Sequence, residues 1–367
     1  MESFNIVMRK DCLRMKRIGM LTSGGDCQAL NAAMRGVVKG LSENVDELEI
    51  YGFHNGYKGL IYGDYRLLTS ADFSGILTKG GTILGSSRQP FKQMRVPDEN
   101  GLDKVEAMKQ TYHKLNLDCL VILGGNGTQK TANLLREEGL NVVHLPKTID
   151  NDISVTDHAP GFGSAAKYIA ASVREISQDV RALPIHVSVV EAMGRNAGWI
   201  AAASALADDG NGSGPDFIYL PEKPFDEDQF LTSIENKLQE KKGIVVVASE
   251  GLKKKDGSPI VDPIFKVGRA VYYGDVGTHL ANLVIKKLGY KARSEKPGLC
   301  GRASIAFQSE VDREEAIVAG AEAVKAAMQG ATGVMVGFKR IPGEIYKAEP
   351  ILIPIHEVMM TERCMPD

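Results

Sequence analysis

The chain has 367 residues, 43% of them hydrophobic and 25% charged, with a formal net charge of −2. That length suits two domains, the composition is that of a globular protein, and a near-neutral balance gives no electrostatic footprint for nucleic acid or a membrane surface. No apolar run approaches a membrane span, and five scattered cysteines without a CxxC pair read as reduced thiols of a cytoplasmic protein, not as a disulfide framework or a zinc site.

The start, MESFNIVMRKDCLRMKR, is too charged for the apolar core of a signal peptide, and Met15 makes a natural beginning, so residues 1–14 read as a dispensable extension. Arg17 to Thr22 reads as a strand that runs into Ser23-Gly24-Gly25-Asp26 and a helix through NAAMRGVVKGL. Glu49 to Phe53 is the next strand, followed by a Gly/Tyr-rich loop, HNGYKGLIYGDY, and a glycine-rich loop over 80–90 that carries Arg88. A helix is expected over 102–115. Cys119 to Leu123 is an apolar strand ending in Gly124-Gly125; an amphipathic helix, a second apolar strand and the polar run Pro146 to Asp152 follow.

Gly161 opens a helix through Val180. Val187 to Val190 is a strand leading into Glu191-Ala192-Met193-Gly194-Arg195 and an alanine-rich helix. Asp216 to Leu220 is a strand, 226–241 a helix, and Ile244 to Ala248 a fully apolar strand ending at Ser249-Glu250-Gly251. A charged loop over 253–266, helices over 268–289 and 312–329, and a last strand from Val334 to Phe338 complete the reading. Strands alternating with helices predict an α/β protein of βαβ units, with mainly parallel sheets and helices on both faces. Right-handed crossovers then place the glycine loops along one edge of each sheet.

Several of these loops carry chemistry. Gly24-Gly25 and Gly124-Gly125-Asn126-Gly127-Thr128 follow strands and open helices, an arrangement whose backbone N–H groups suit phosphate. Asp150 and Asp152 directly follow an apolar strand, with Lys147 and Thr148 beside them. Phosphoryl transfer needs one carboxylate to take the proton of the attacking hydroxyl and others to hold Mg²⁺, and two carboxylates on one loop can divide those roles. Arg195 beside a glycine turn offers a planar fork to a phosphoryl group, Glu250 can accept sugar hydroxyls, and Arg293 with Arg302 can clamp a phosphate ester. Each has an ordinary counterpart: a plain βα turn, a solvated acidic turn, a surface arginine. The histidines show no metal spacing.

Together the segments LTSGGDCQALNAAMRGVV (21–38), GGTILGSSR (80–88), ILGGNGT (122–128), PKTIDND (146–152) and VVEAMGRNAGWIA (189–201), with the Arg302 region, resemble the phosphofructokinase family in content and order. The resemblance implies two Rossmann-like domains with the active site in the cleft between them: residues 1–160 plus about 301–350 for the donor, and 161–300 plus about 351–367 for the sugar phosphate. It implies phosphoryl transfer from ATP to the 1-hydroxyl of fructose 6-phosphate, giving fructose 1,6-bisphosphate in glycolysis, with Mg²⁺, in a homodimer or homotetramer. By position, Asp150 is the general base, Asp152 lies near Mg²⁺, and Thr148 and Arg195 meet the transferred phosphoryl group. His186, Met193, Gly194, Glu250, Arg293 and Arg302 fall at sugar-phosphate positions, and Gly25, Arg88, Gly125, Asn126, Gly127, Thr128 and Lys147 at donor positions. Arg35 and Lys39 match the basic positions of the family's effector site.

The chain departs from the family at three of these positions: Asn126 stands for a metal-binding Asp, His186 for an arginine contributed by a neighbouring subunit, and Leu299 near a sugar-phosphate histidine. An amide is a weaker Mg²⁺ ligand than a carboxylate. Donor signs conflict. Gly127 leaves room for the nucleotide α-phosphate, as in ATP users, whereas Lys147 before the aspartate loop is the pyrophosphate sign. Steric room is weighed above an added charge, and ATP is the expected donor, with pyrophosphate as the alternative. A lipid or NAD kinase lacks the TIDND and MGR pair. A catalytically impaired sugar-phosphate sensor remains a further reading on the strength of the three departures.

Overall fold

The computed structural model describes residues 16–183, 186–267 and 270–366, so the expected extension over 1–14 lies outside the described residues. In chain order the strands are β1 (Lys16–Thr22), β2 (Leu48–Phe53), β3 (Tyr65–Leu68), β4 (Cys119–Gly124), β5 (Val142–Pro146), β6 (Val187–Ala192), β7 (Phe217–Tyr219), β8 (Ile244–Ser249), β9 (Pro263–Val267), β10 (Ala270–Tyr273), β11 (Ala292–Glu295), β12 (Val334–Arg340) and β13 (Ala348–Pro354). The helices are α1 (Ala29–Asn44), α2 (Tyr57–Tyr62), α3 (Lys104–Lys114), α4 (Asn126–Glu137), α5 (Phe162–Ala182), α6 (Trp199–Ala203), α7 (Glu227–Glu240), α8 (Val276–Leu288), α9 (Cys300–Ala303), α10 (Glu310–Met328) and α11 (Ile355–Val358).

The chain divides into two compact units. The first takes residues up to Lys147, Val155–Asp157 and Glu314–Met360; the second takes Thr148–Ser154, His158–Arg313 and the residues from Thr361 on. The first unit holds a seven-stranded sheet in the order β13-β12-β5-β4-β1-β2-β3, parallel through β12, β5, β4, β1 and β2, with antiparallel strands at both edges. The second holds a four-stranded, wholly parallel sheet, β11-β6-β8-β7. The expectation of α/β units with mainly parallel sheets is met.

The inner strands explain themselves. Every residue of β4 (CLVILG), β5 (VVHLP) and β8 (IVVVAS) is buried, because a parallel sheet covered by helices on both faces has no solvated side. Helices α1 and α10 meet at backbone distance. A Cβ on Gly36 would stand 2.1 Å from the Ile317 carbonyl oxygen, and one on Gly320 would stand 2.2 Å from that of Ala33, so only glycine fits at these two places.

Four features differ from the sequence reading. HNGYKGLIYGDY is not wholly loop: Gly56 and Gly63, both at positive φ, bracket the short helix α2. The stretch read as charged loop and helix start folds as the antiparallel pair β9–β10, with Phe265 stacked on Tyr272, and the helix begins only at Val276. Val334 to Phe338 does not lie in the last strand, since β13 follows and pairs with β12 over seven residues. The sheet of the second unit also gains β11, a short polar strand, ARSE, whose identity comes from pairing with β6.

One buried group makes the fold sensitive to acid. His144 on β5 is fully buried, and burial holds its pKa down at about 3, well below the ordinary histidine value. Below about pH 6.5 the unfolded chain binds a proton there that the folded chain refuses, so stability falls with acidification at about 1.4 kcal/mol per pH unit until the folded value is reached. Urea unfolding at pH 7 and pH 5 should therefore show a loss about 2 kcal/mol smaller in His144→Leu than in the unaltered chain. Identical losses would show that His144 carries no such linkage.

Candidate active site

Strands β1, β4 and β5 lie side by side and parallel, so the loops at their carboxyl ends converge. These loops are Thr22–Asp26, Gly125–Thr128 and Lys147. The chain stitches them together. Ser23 N–H donates to the Leu123 carbonyl (2.9 Å), Thr128 Oγ1 to the Ser23 carbonyl (3.4 Å), and Lys147 N–H to the Gly124 carbonyl (3.0 Å). Lys147 is 5% exposed, and its ammonium donates to the Gly25 carbonyl. The loop that carries Arg88 joins them: Ser86 Oγ donates to the Gly24 carbonyl (2.7 Å) and Thr22 Oγ1 to that of Gly85 (2.7 Å). Arg88 itself is exposed. Gly25, Arg88, Gly125, Asn126, Gly127, Thr128 and Lys147 thus belong to one cluster of loops in the first unit.

Helix α4 begins at this cluster, and its N-terminus, like that of α1 after the Gly24-Gly25 loop, differs from those of α3, α5, α7 and α8. Asp103 caps α3 and Asp226 caps α7, each accepting two backbone N–H bonds, with acidic residues in the first turn. Helices α5 and α8 take carboxylates from elsewhere in the second unit: Asp312 accepts from Gly161 and Ser164 N–H, and Glu191 from Gly277 N–H. Helix α4 has no side-chain cap and no acidic residue in its first turn. A helix start carries a partial positive charge, which favours an anion. A Cβ on the exposed Gly127 would meet no heavy atom within 4 Å.

The aspartate loop belongs to the second unit, and one hydroxyl orders it. Thr148 Oγ1 accepts the Asp150 N–H (3.0 Å) and donates to Asp152 Oδ1 (3.0 Å). Asn151, between the aspartates, takes the left-handed conformation (φ +54) that asparagine tolerates best among residues with a Cβ. Its buried side chain accepts the Ala159 N–H (3.2 Å), and Thr148 N–H donates to the Pro160 carbonyl (3.3 Å). These bonds anchor the loop to the segment that Asp312 caps at Gly161. Asp150 and Asp152 themselves are half-buried.

In the same unit β6 and β8 run parallel, with Ala192 opposite Ser249, so the turns that follow them are neighbours. Ser249 Oγ donates to the Gly194 carbonyl (2.7 Å), and Glu250 N–H to the Ala192 carbonyl (2.9 Å). Gly194 holds φ +110, and a Cβ there would stand 2.5 Å from the Ala197 carbonyl oxygen. Arg195 is exposed immediately after it and Glu250 is half-buried, while Met193 lines a small, largely apolar cavity with Ile149, Tyr168, Glu191, Ile200 and Gly301. Arg302, on α9, is half-buried, and its Nε makes no hydrogen bond.

Two expected sugar-phosphate residues lie apart from these. His186 precedes β6 and packs against Tyr290 (ring centroids 5.4 Å apart), and Arg293 pairs in register with Ser188 at the beginning of β6, its guanidinium 2.7 Å from Glu295. They lie toward the amino-terminal edge of the sheet, and His186 is a six-residue strand away from the turn that carries Arg195. At about 3.3 Å per residue that is roughly 20 Å.

The sequence reading missed a charged cluster beside the site. Lys296 donates to Glu191 Oε1 (2.9 Å) and to Asp275, and these carboxylates raise its pKa against the lowering effect of burial. Glu191 is 3% exposed and holds both Lys296 and the start of α8. A carboxylate at the end of an apolar strand was the available signal. The sequence reading also missed residues 361–365, whose contacts with the aspartate loop have no local signature.

Among the described residues no group of three or more His, Cys, Asp or Glu is arranged to hold a metal ion. A divalent ion shared with phosphate oxygens needs only one or two protein carboxylates, so an oxygen donor such as Asp152 fits that manner of binding.

Comparison with known proteins gives the family. Residues 17–327 match the family model described as phosphofructokinase. The chain is 40% identical over 360 residues to the ATP-dependent 6-phosphofructokinase of Spirochaeta thermophila, covering 96% of this chain and 93% of that protein. It is 36% identical over 326 residues to the pyrophosphate–fructose 6-phosphate 1-phosphotransferase of Amycolatopsis methanolica, covering 88% of this chain and 90% of the other. The crystal structure of the pyrophosphate-dependent phosphofructokinase of Nitrosospira multiformis superposes with a TM-score of 0.83 at 28% identity, over 96% of this chain and 86% of that one. With the glycine loops, the aspartate loop and the arginine turn present in one α/β chain, this protein belongs to the phosphofructokinase family and is a phosphotransferase of that class.

Proposed function

We propose that this phosphofructokinase uses ATP as its donor and phosphorylates the 1-hydroxyl of fructose 6-phosphate. The open space at Gly127, in front of the uncapped start of α4, carries the choice of ATP. A bulkier or acidic residue there would occupy or repel the region that a nucleotide α-phosphate needs. Two of the relatives described above carry names with pyrophosphate as donor, and the buried Lys147 at the Gly25 carbonyl favours that second reading, since a buried cation suits a small, dense anion.

In this reading Asp150 takes the proton of the sugar hydroxyl as it attacks, with its backbone pinned by Thr148. Arg195 presents its fork to the transferred phosphoryl group, and Met193, Gly194, Glu250 and Arg302 bind the sugar phosphate. Gly25, Arg88, Gly125, Gly127, Thr128 and Lys147 hold the donor's phosphates. Asp152, with Asn126 as a further oxygen donor, would hold Mg²⁺, which would supply charge neutralisation for the phosphates. His186 lies a strand length, about 20 Å, from the arginine turn and Arg293, opposite Ser188, about 13 Å from it, and both serve a neighbouring copy's site in a homodimer or homotetramer. The four described cysteines are free, which fits a cytoplasmic protein, and among the described residues no helix is long and apolar enough to cross a membrane.

Two measurements test this. Asp150→Asn should lower kcat by about 10²–10⁴-fold with fructose 6-phosphate KM changed only a few-fold; unchanged turnover would remove Asp150 from the reaction. In an assay offering each donor with Mg²⁺, ATP should support turnover better than pyrophosphate, and Gly127→Asp should cut the ATP rate by about tenfold or more while affecting the pyrophosphate rate less. Turnover with pyrophosphate and none with ATP overturns the donor choice, and no turnover with either favours the sensor.

A further inference from the structure

Residues after Met360 return to the second unit and cross two of its functional loops. Glu362 pairs antiparallel with Ile153, and Arg363 N–H donates to the Asp152 carbonyl (2.8 Å). Ser154 Oγ and Thr361 Oγ1 are 2.6 Å apart. The same few residues hold the turn beyond Arg195. Asn196 Nδ2 donates to Glu362 Oε2 (3.3 Å), and Trp199 Nε1 donates to the Arg363 carbonyl (3.0 Å). The Arg363 guanidinium lies 4.4 Å from the centre of the Trp199 ring, within cation–π distance. Glu222 Oε1 accepts both Met365 N–H (2.9 Å) and Gly198 N–H (2.8 Å), which ties the tail to the start of α6.

We propose that Thr361–Met365 is a positioning strap that sets Asp152 and its neighbour Asp150 against Arg195. The proposal rests on the phosphofructokinase reading of those three residues. The strap buries no large apolar side chain, and Thr361, Glu362 and Cys364 are exposed, so its contribution to the core is small. Its bonds go instead to the backbone of the aspartate loop and to both sides of the arginine turn. Asp150 and Arg195 are 45 residues apart in the sequence, and the strap spans both loops with a stretch of five residues. Catalysis by phosphoryl transfer depends mainly on positioning and charge, and displacements of about 1 Å can cost about 10²-fold.

The arginine turn carries its own reporter, since Trp199 is the single tryptophan of the sequence. The test compares the full chain with a chain ending at Met360, with Arg363→Pro, which removes the N–H that Asp152 accepts, and with Arg363→Lys, which keeps that N–H and a cation over Trp199. The chain ending at Met360 and Arg363→Pro should lose about 10- to 100-fold in kcat, with KM for fructose 6-phosphate within about threefold. Arg363→Lys should stay within about threefold of the full chain. Emission of Trp199 should shift to the red in the truncated chain, where the indole loses its partner and its cover. If that chain does not fold, Arg363→Pro against Arg363→Lys decides. Wild-type kcat in Arg363→Pro, equal losses in Arg363→Pro and Arg363→Lys, or unchanged Trp199 emission on truncation overturns the strap. Turnover of the full chain is measured first: if it is absent, the functional reading fails, and Trp199 emission still decides whether the tail holds the arginine turn.

Discussion

A single hydroxyl orders the aspartate loop of this molecule. Thr148 Oγ1 accepts a hydrogen bond from Asp150 N–H and donates to Asp152 Oδ1, so the backbone of one aspartate and the carboxylate of the other are held by one neutral group. A carboxylate acting as base needs a fixed direction, and one near a metal needs its lone pairs turned toward it. A threonine fixes the backbone of the first and one carboxylate oxygen of the second without adding charge. The chain then supports the threonine: Asn151 turns left-handed so that the aspartates can flank it, and Pro160 and Ala159 accept and donate the backbone bonds that stop the loop from swinging.

The same economy appears at the helix starts. Asp312 and Glu191 are buried carboxylates that cap α5 and α8 from other elements, and in doing so they fasten the segments that border the aspartate loop and the arginine turn. Burial raises the Asp312 pKa, and the bonds from Ser164 and Gly161 oppose it. Helix α4 is the contrast. Its start has no side-chain cap, and it lies where the glycine loops converge.

Much of this was legible in the sequence, for local reasons. CLVILG and IVVVAS are apolar throughout because both faces of their sheets are covered, and Asp103 and Asp226 announce the starts of α3 and α7. The aspartate loop and the arginine turn are likewise contiguous in sequence. What stayed hidden depends on partners. AEPILIP becomes an edge strand through pairing with β12, and PIFKV with AVYY becomes a hairpin through each other, so neither shows the periodicity of a strand that stands by itself. Lys296 reads as a surface lysine until Glu191 and Asp275 meet it, and the tail after Met360 contains nothing that names Asp152 or Trp199 as its partners. The position of Arg293 at the far edge of its sheet follows from strand register, which the sequence does not state.

The central claim, that the Thr148 hydroxyl sets both aspartates, is tested most directly by comparing kcat of Thr148→Val with that of Thr148→Ser in folded protein. Valine keeps the shape and loses both bonds, whereas serine keeps the hydroxyl and loses only a methyl group. The account predicts a loss of about 10²-fold or more for valine and only a few-fold for serine. A valine variant that turns over like the unaltered chain would contradict it.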